Sequence, residues 1–318
     1  MPIQWFPGHM HSTQKAIAQR LPDIDVVIEL LDARLPGSSL NPLLASLTLG
    51  KPALKVLNKQ DLADPDRTAA WLAHFNARPD TRALGLDASV PGPARLLVAA
   101  CRALAPLRGG MVKPLRVLIC GIPNVGKSTL INTLSERRAT KTGDEPGITK
   151  AEQQIVLASD FVLFDTPGLL WPRISVERSG LHLAAGGSVG RNAYDEREVA
   201  MALLGSVRDI YASRLCERYR LDDIAPLSDE ALLSAIGRKR GGLRAGGVVD
   251  VQKAAEIVLN DFRGGAWGRI TLETPGQFEQ WQAEAQRLDA ERAAKKAARL
   301  KKPKPQRGAP EGEPDAPR

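Results

Sequence analysis

Gly121-Ile-Pro-Asn-Val-Gly-Lys-Ser128 fits the G-x-x-x-x-G-K-[ST] pattern at every fixed position, and its surroundings decide the fold. The apolar run Leu115-Arg-Val-Leu-Ile-Cys120 before it reads as a buried strand, and the residues after it read as a helix to about Glu136. Strand, glycine-containing turn and helix in that order make a phosphate cradle. The glycines let successive backbone N–H groups curl around a β-phosphate, and the helix N-terminus turns its positive end to the same anion. Lys127 is placed to bridge β- and γ-phosphates and the Ser128 hydroxyl to ligate Mg2+; Asn124, Val125, Gly126 and Thr129 complete the loop.

Working outward, Asp25 to Leu31, Pro52 to Leu57, Gln154 to Leu157 and Phe161 to Phe164 read as further strands, with a short apolar run at 83–86. Helical stretches at 67–76 and 93–105 lie between them. Short strands alternating with helices predict an α/β fold: a mostly parallel sheet covered on both faces. After about Pro172 no convincing strand remains. Helical windows at 199–203, 209–219, 228–236 and 251–262 predict a small all-α second domain. Thr274-Pro-Gly-Gln277 reads as the capped start of a long helix. The expected division is a nucleotide domain over 1–174, a helical RNA-contacting domain over 175–285, and a basic, partly disordered tail over 286–318.

The base is read by Asn58-Lys59-Gln60-Asp61, at the C-terminal end of a buried strand, where ligands bind open α/β sheets. A carboxylate at 61 accepts from both N1–H and the 2-amino group of guanine, a donor pair adenine lacks. Asn58 is expected on the O6/N7 edge, with the stem of Lys59 along the ring face. Ala88 and Ser89, in Asp87-Ala-Ser89, fit a companion loop whose backbone N–H meets O6. Asp165-Thr-Pro-Gly168 ends another strand: Asp165 is expected to hold Mg2+ through water and the Gly168 N–H to touch the γ-phosphate. Thr149, in Pro146-Gly-Ile-Thr149, is the expected second hydroxyl on Mg2+. Segments ordered by γ-phosphate and metal, and released on hydrolysis, follow the usual logic of a GTPase switch.

In most small GTPases the phosphate loop comes first and N-K-x-D near the end. Here residues 58–61 precede 121–128, which precede 149 and 165, so the order is that of a circularly permuted P-loop GTPase. Trp5-Phe-Pro-Gly-His-Met10, Asp32-Ala-Arg34 with Pro36, Asp165-Thr-Pro-Gly-Leu-Leu-Trp-Pro172 and Gly237-Arg-Lys-Arg-Gly-Gly-Leu-Arg-Ala-Gly-Gly247, in that order, resemble the bacterial ribosome biogenesis GTPase A family over roughly residues 3 to 275. The resemblance implies a GTP-hydrolysing factor in late assembly of the large (50S) ribosomal subunit, stimulated by the subunit and released on hydrolysis. It also implies a helical domain that contacts rRNA.

Position 169, where many GTPases carry a water-orienting glutamine, is Leu169, which cannot hydrogen-bond water. The resemblance points to His9 as the substitute, since the family's N-terminal histidine is its proposed catalytic residue. The plainer reading is that Trp5 and Phe6 staple the chain's end to the core and His9 is a solvated neighbour. Asn124 is similar to the asparagine through which some GTPases hold K+; a loop asparagine that supports backbone geometry is the alternative. With the helical domain starting almost directly after Gly168, contacts at the γ-phosphate are expected to set that domain's orientation.

The chain of 318 residues has a net charge of +8. Arg238, Lys239, Arg240 and Arg244 form one basic cluster, and a second runs from Arg292 to Arg307 without an acid. Such runs suggest a polyanionic partner, RNA above all. Cys101, Cys120 and Cys216 are too few and too far apart for a disulfide framework or a zinc site. No stretch approaches a membrane span, and a cytoplasmic monomer is expected. Two other readings stay open: an RNA-binding assembly protein using GTP as a structural ligand, and a GTPase acting on another RNA such as tRNA.

Overall fold

The computed structural model describes residues 3–108, 113–135 and 153–300. Six strands form one sheet: β1 (Val26–Asp32), β2 (Ala53–Asn58), β3 (Thr81–Gly85), β4 (Leu115–Gly121), β5 (Gln153–Ala158) and β6 (Phe161–Asp165), in the spatial order β3-β2-β1-β4-β6-β5. All neighbours are parallel except β5, which lies antiparallel on β6. The central strands β1 and β4 are apolar along nearly their whole length and almost wholly buried, as strands covered on both faces must be. Register places Asp32 beside Asn58, Leu57 beside Gly85, Leu30 beside Gly121, and Ile119 beside Asp165. The parallel strands therefore end along one edge. The direction of strand order reverses between β1 and β4, which is where an open α/β sheet opens a binding crevice.

The helices are α1 (Gly8–Arg20), α2 (Pro42–Leu47), α3 (Pro65–Asn76), α4 (Pro91–Leu104), α5 (Lys127–Leu134), α6 (Glu177–Ala185), α7 (Glu196–Val207), α8 (Ala212–Tyr219), α9 (Asp229–Lys239), α10 (Val251–Arg263) and α11 (Pro275–Leu300). α10 packs on α7 and α9, and α6 on α7. Asp250 caps α10 through the Lys253 N–H, and Thr274 and Gln277 form the reciprocal capping box at α11. The second cap follows the sequence reading.

Three helices escaped that reading. In α1 the inward stripe is only Met10, Thr13 and Ile17, one of them polar. α2 is too short for periodicity to register, although Asn41 caps it. α6 is buried on most sides and rich in Gly and Ala, so it shows no clean polar face. Residues 286–300, the basic start of the expected tail, continue α11, because Ala, Glu, Lys, Arg and Leu are strong helix formers and no proline interrupts them. The Pro-rich residues from 303 on lie outside the described residues.

The helical half returns to the sheet through residues 269–274. Ile270 N–H donates to Leu62 O, Leu272 N–H to Arg34 O, and the Trp71 indole N–H to Glu273 O. Phe278 of α11 then packs with Trp71, Phe75, Leu31 and Ala33 in a second apolar cluster. Behind this strap Glu273, fully buried, accepts from the Ser38 hydroxyl at 2.6 Å and lies 2.9 Å from His182 Nδ1. His182 is a core residue, with a buried carboxylate as partner.

Candidate active site

The phosphate loop leaves β4 at Gly121 and enters α5 at Lys127. Gly126, the residue before the helix, has φ +99°, and a Cβ there would sit 2.2 Å from Asn58 Nδ2. Only glycine serves both the left-handed backbone and that close approach. Lys127 is buried between the loop and Asp165; its ammonium donates to the carbonyls of Gly121 and Ile122 at 3.2 and 3.1 Å. Burial pushes the Lys127 ammonium pKa down, against the pull of Asp165. Ser128 and Thr129 sit half-buried in the first turn of α5.

Asp165 ends β6 wholly buried, and neither carboxylate oxygen has a hydrogen-bond partner among the described residues. Burial pushes its pKa up to about 6, with the Lys127 charge opposing. A buried carboxylate without partners is costly, and a cation beside it removes the cost. The site fits a cation such as Mg2+ on that ground, and Ser128, in the first turn of α5, would be its hydroxyl ligand. Among the described residues no group of three His, Cys, Asp or Glu could hold a metal by itself, so such a cation would share its ligands with phosphate and water. Thr149 lies outside the described residues.

The loop after β6 lies against the phosphate loop. A Cβ on Gly168 would fall 2.7 Å from Pro123 Cα, and Leu169 N–H donates to Gly121 O at 3.1 Å. The Leu169 side chain is fully buried and its carbonyl accepts from the Asn41 amide. Position 169 thus faces the core and presents nothing to a water.

At residues 58–61 the structure assigns roles that sequence did not. Asn58, expected on the base's O6/N7 edge, donates to Val125 O at 2.7 Å and accepts from the Ala88 N–H at 2.8 Å. It ties three loops together. The Ala88 N–H, expected to meet O6, is thereby engaged, and the Ser89 N–H is held by Asp87 Oδ1. Lys59, in left-handed conformation with φ 62°, donates to Asp32 Oδ2 at 2.8 Å and Asn124 O at 3.0 Å. Asp61 is exposed and lines a cleft of about 280 Å³ with Gln60, Gly85, Leu86, Asp87, Pro93 and Arg269.

Sequence reasoning missed how the helical half touches this site. The Asn124 amide donates to Gly187 O, just past α6, at 2.8 Å. Arg34 grips Asp32 by both oxygens and donates to the carbonyls of Phe262 and Arg263 that end α10. The one sequence signal was the Asp32-Ala-Arg34 motif itself, which carried no role until its partners were visible.

His9 lies exposed in the first turn of α1. The next residue, Met10, is buried with its sulfur 3.5 Å from the Leu170 amide. The Gln4 side chain pairs with both backbone groups of Ile174. The chain's start is thus pinned along residues 170–174, and Trp5 and Phe6, half-buried, pack on the core as expected. Arg238, Lys239 and Arg240 are exposed at the end of α9; Arg244 pairs with Asp250 at 2.9 Å. No helix among the described residues is long and apolar enough to cross a membrane.

A family model described as a 50S ribosome-binding GTPase matches residues 116–208. That stretch holds the phosphate loop and Asp165 and leaves β1 to β3, with the base-reading loop, outside. The ribosome biogenesis GTPase A of Bacillus cereus is 41% identical over 296 residues, 91% of this chain and 99% of that one. Its Thermotoga maritima counterpart is 29% identical over 290 residues, 90% and 99% of the two chains. Mitochondrial ribosome-associated GTPase 1 of Xenopus tropicalis is 31% identical over 293 residues, 85% of this chain and 94% of its own. GNP-bound YlqF from T. maritima shares the fold with a TM-score of 0.59 at 24% identity, covering 84% of this chain and 99% of its own. With its nucleotide loops brought to one sheet edge in permuted order, and with that identity across nearly all of a relative, the chain is a GTPase of the ribosome biogenesis GTPase A family.

Proposed function

We propose that this GTPase acts in late assembly of the large ribosomal subunit, binds its rRNA through the helical half, and leaves when the subunit stimulates hydrolysis. The observation that carries the proposal is the 2.8 Å bond from Asn124 in the phosphate loop to Gly187 in the helical half. A change at the phosphates has a direct path to the RNA-contacting part. The relatives' names supply the ribosomal partner. The exposed cationic end of α9, with the loop carrying Arg244, supplies the surface chemistry, since phosphate contacts dominate RNA affinity.

In this reading the hydroxyls of Ser128 and Thr149 and, through water, Asp165 hold Mg2+, which when bound offsets phosphate charge. Lys127 swings from the carbonyls of Gly121 and Ile122 to the phosphates, and Gly168 keeps the backbone at the phosphate loop. Asp61 accepts from guanine. His9 orients or deprotonates the attacking water, and Asn124 takes part in holding K+; equal turnover in Na+ and K+ would remove that ion. The protein works as a cytoplasmic monomer.

Sedimentation with ribosomal particles tests the proposal. Co-sedimentation with the large subunit should differ between a non-hydrolysable GTP analogue and GDP, and weaken steeply with salt; equal sedimentation in both nucleotides overturns it. The buried Leu169 favours a second reading, in which GTP is mainly a structural ligand. Turnover that the subunit fails to stimulate would support that one instead.

A further inference from the structure

We propose that Arg269 is a positioning residue for guanine recognition, which sets Asp61 from the helical half of the chain; this rests on residues 58–61 reading the base. Asp61 rides on a single short turn, Gln60–Leu62. Its outward carbonyls are claimed by a segment some two hundred residues away in sequence. Gln60 O accepts from Arg269 Nη2 at 3.3 Å, Ala63 O from Arg269 Nε at 2.8 Å, and Leu62 O from the Ile270 N–H at 2.9 Å. One residue on, Asp64 N–H donates to the Thr271 hydroxyl at 3.1 Å, which donates in turn to Ala33 O at 3.0 Å. Leu62 packs against Gly265, beyond the end of α10. Arg269 is itself held by the Arg214 guanidinium on its carbonyl.

The geometry selects arginine. Its planar fork holds the carbonyls of Gln60 and Ala63 at once, on either side of Asp61, and so fixes the turn's rotation; a lysine ammonium is a single point and cannot match two fixed carbonyls from one plane. Arg269 also lines the cleft beside Asp61 and Asp87, close to the carboxylate that accepts from the base. Two hydrogen bonds to N1–H and the 2-amino group demand that carboxylate in one orientation. By linkage, any partner that shifts residues 269–271 alters guanine affinity, and bound guanine resists that shift.

Inosine nucleotides, which lack the 2-amino group, provide the test. GDP and IDP affinities are measured by calorimetry for wild type, Arg269→Lys, Arg269→Ala and Asp61→Ala, with thermal melting as the fold control. Wild type should prefer GDP. Arg269→Ala should lose about tenfold in GDP affinity, the scale of one charge-assisted hydrogen bond, with a smaller loss for IDP, so the preference collapses. Arg269→Lys should fall between, and it reads the same ratio if the alanine variant does not fold. In the Asp61→Ala background, removing Arg269 should cost GDP affinity nothing further. A GDP-to-IDP ratio unchanged by either Arg269 variant overturns the inference while leaving base reading intact. A wild type or an Asp61→Ala variant that shows no Asp61-dependent preference overturns base reading itself, and the inference with it.

Discussion

Arg34 holds Asp32 through both carboxylate oxygens, at 3.0 and 2.8 Å, with both side chains almost wholly buried. The pair joins the two halves of the molecule. Asp32 also takes the Lys59 ammonium from the loop after β2, and Arg34 closes the last carbonyls of α10 with its guanidinium over the Phe262 ring. Arg34→Ala should therefore destabilise the protein by about 3–5 kcal/mol, the usual cost of stripping one partner from a buried ion pair. Denaturant unfolding measures it; a loss below about 1 kcal/mol would show the pair to be dispensable.

Asp165 sets a pH dependence in the nucleotide-free protein. Its folded-state pKa, about 6, lies above the ordinary 3.8 because burial disfavours the charged form. A raised carboxylate binds more protons folded than unfolded, so its contribution is fully present below about pH 4 and is lost as pH rises through 6. Asp165→Asn should accordingly stabilise the apo protein at pH 7.5 by roughly 2–3 kcal/mol and by much less at pH 4. Mg2+ with GTP should stabilise wild type and not the variant. Asp32 has the opposite sign, since the charges of Arg34 and Lys59 hold its carboxyl well below the usual range despite burial. Its contribution is present above about pH 4 and fades only in stronger acid. Thermal melting across this range separates the two.

Gly168→Ala should cost tenfold or more in GTP affinity. The added methyl meets the Pro123 backbone at 2.7 Å, which cannot rotate away, and overpacking of this kind typically costs about 1–3 kcal/mol. Equilibrium binding with circular dichroism as the fold control checks it, and wild-type affinity would contradict the close approach.

His9→Ala should leave GTP affinity and stability nearly unchanged, because the residue is exposed. Subunit-stimulated turnover should fall by about 10²–10⁴, the usual range for a general base. Turnover equal to wild type removes His9 from the chemistry and leaves residues 3–10 as an anchor.

The sequence by itself determined the sheet, the phosphate loop and the permuted order. Those signals are local: apolar runs of strand length, a turn that only glycine can make, and carboxylates and amides at strand ends. Permutation changes the chain order and not the edge on which parallel strands end, so Asn58, Gly121 and Asp165 are legible from the sequence as strand ends on one edge. The tertiary structure decided what depends on distant partners. Asn58 ties loops together because Val125 and Ala88 come within reach of its amide. Arg34 and Arg269 acquire roles only when the ends of α10 and of the base-reading turn are brought to them. A side chain's hydrogen-bond partners some two hundred residues away leave no periodic trace in its own neighbourhood, and folding alone places them.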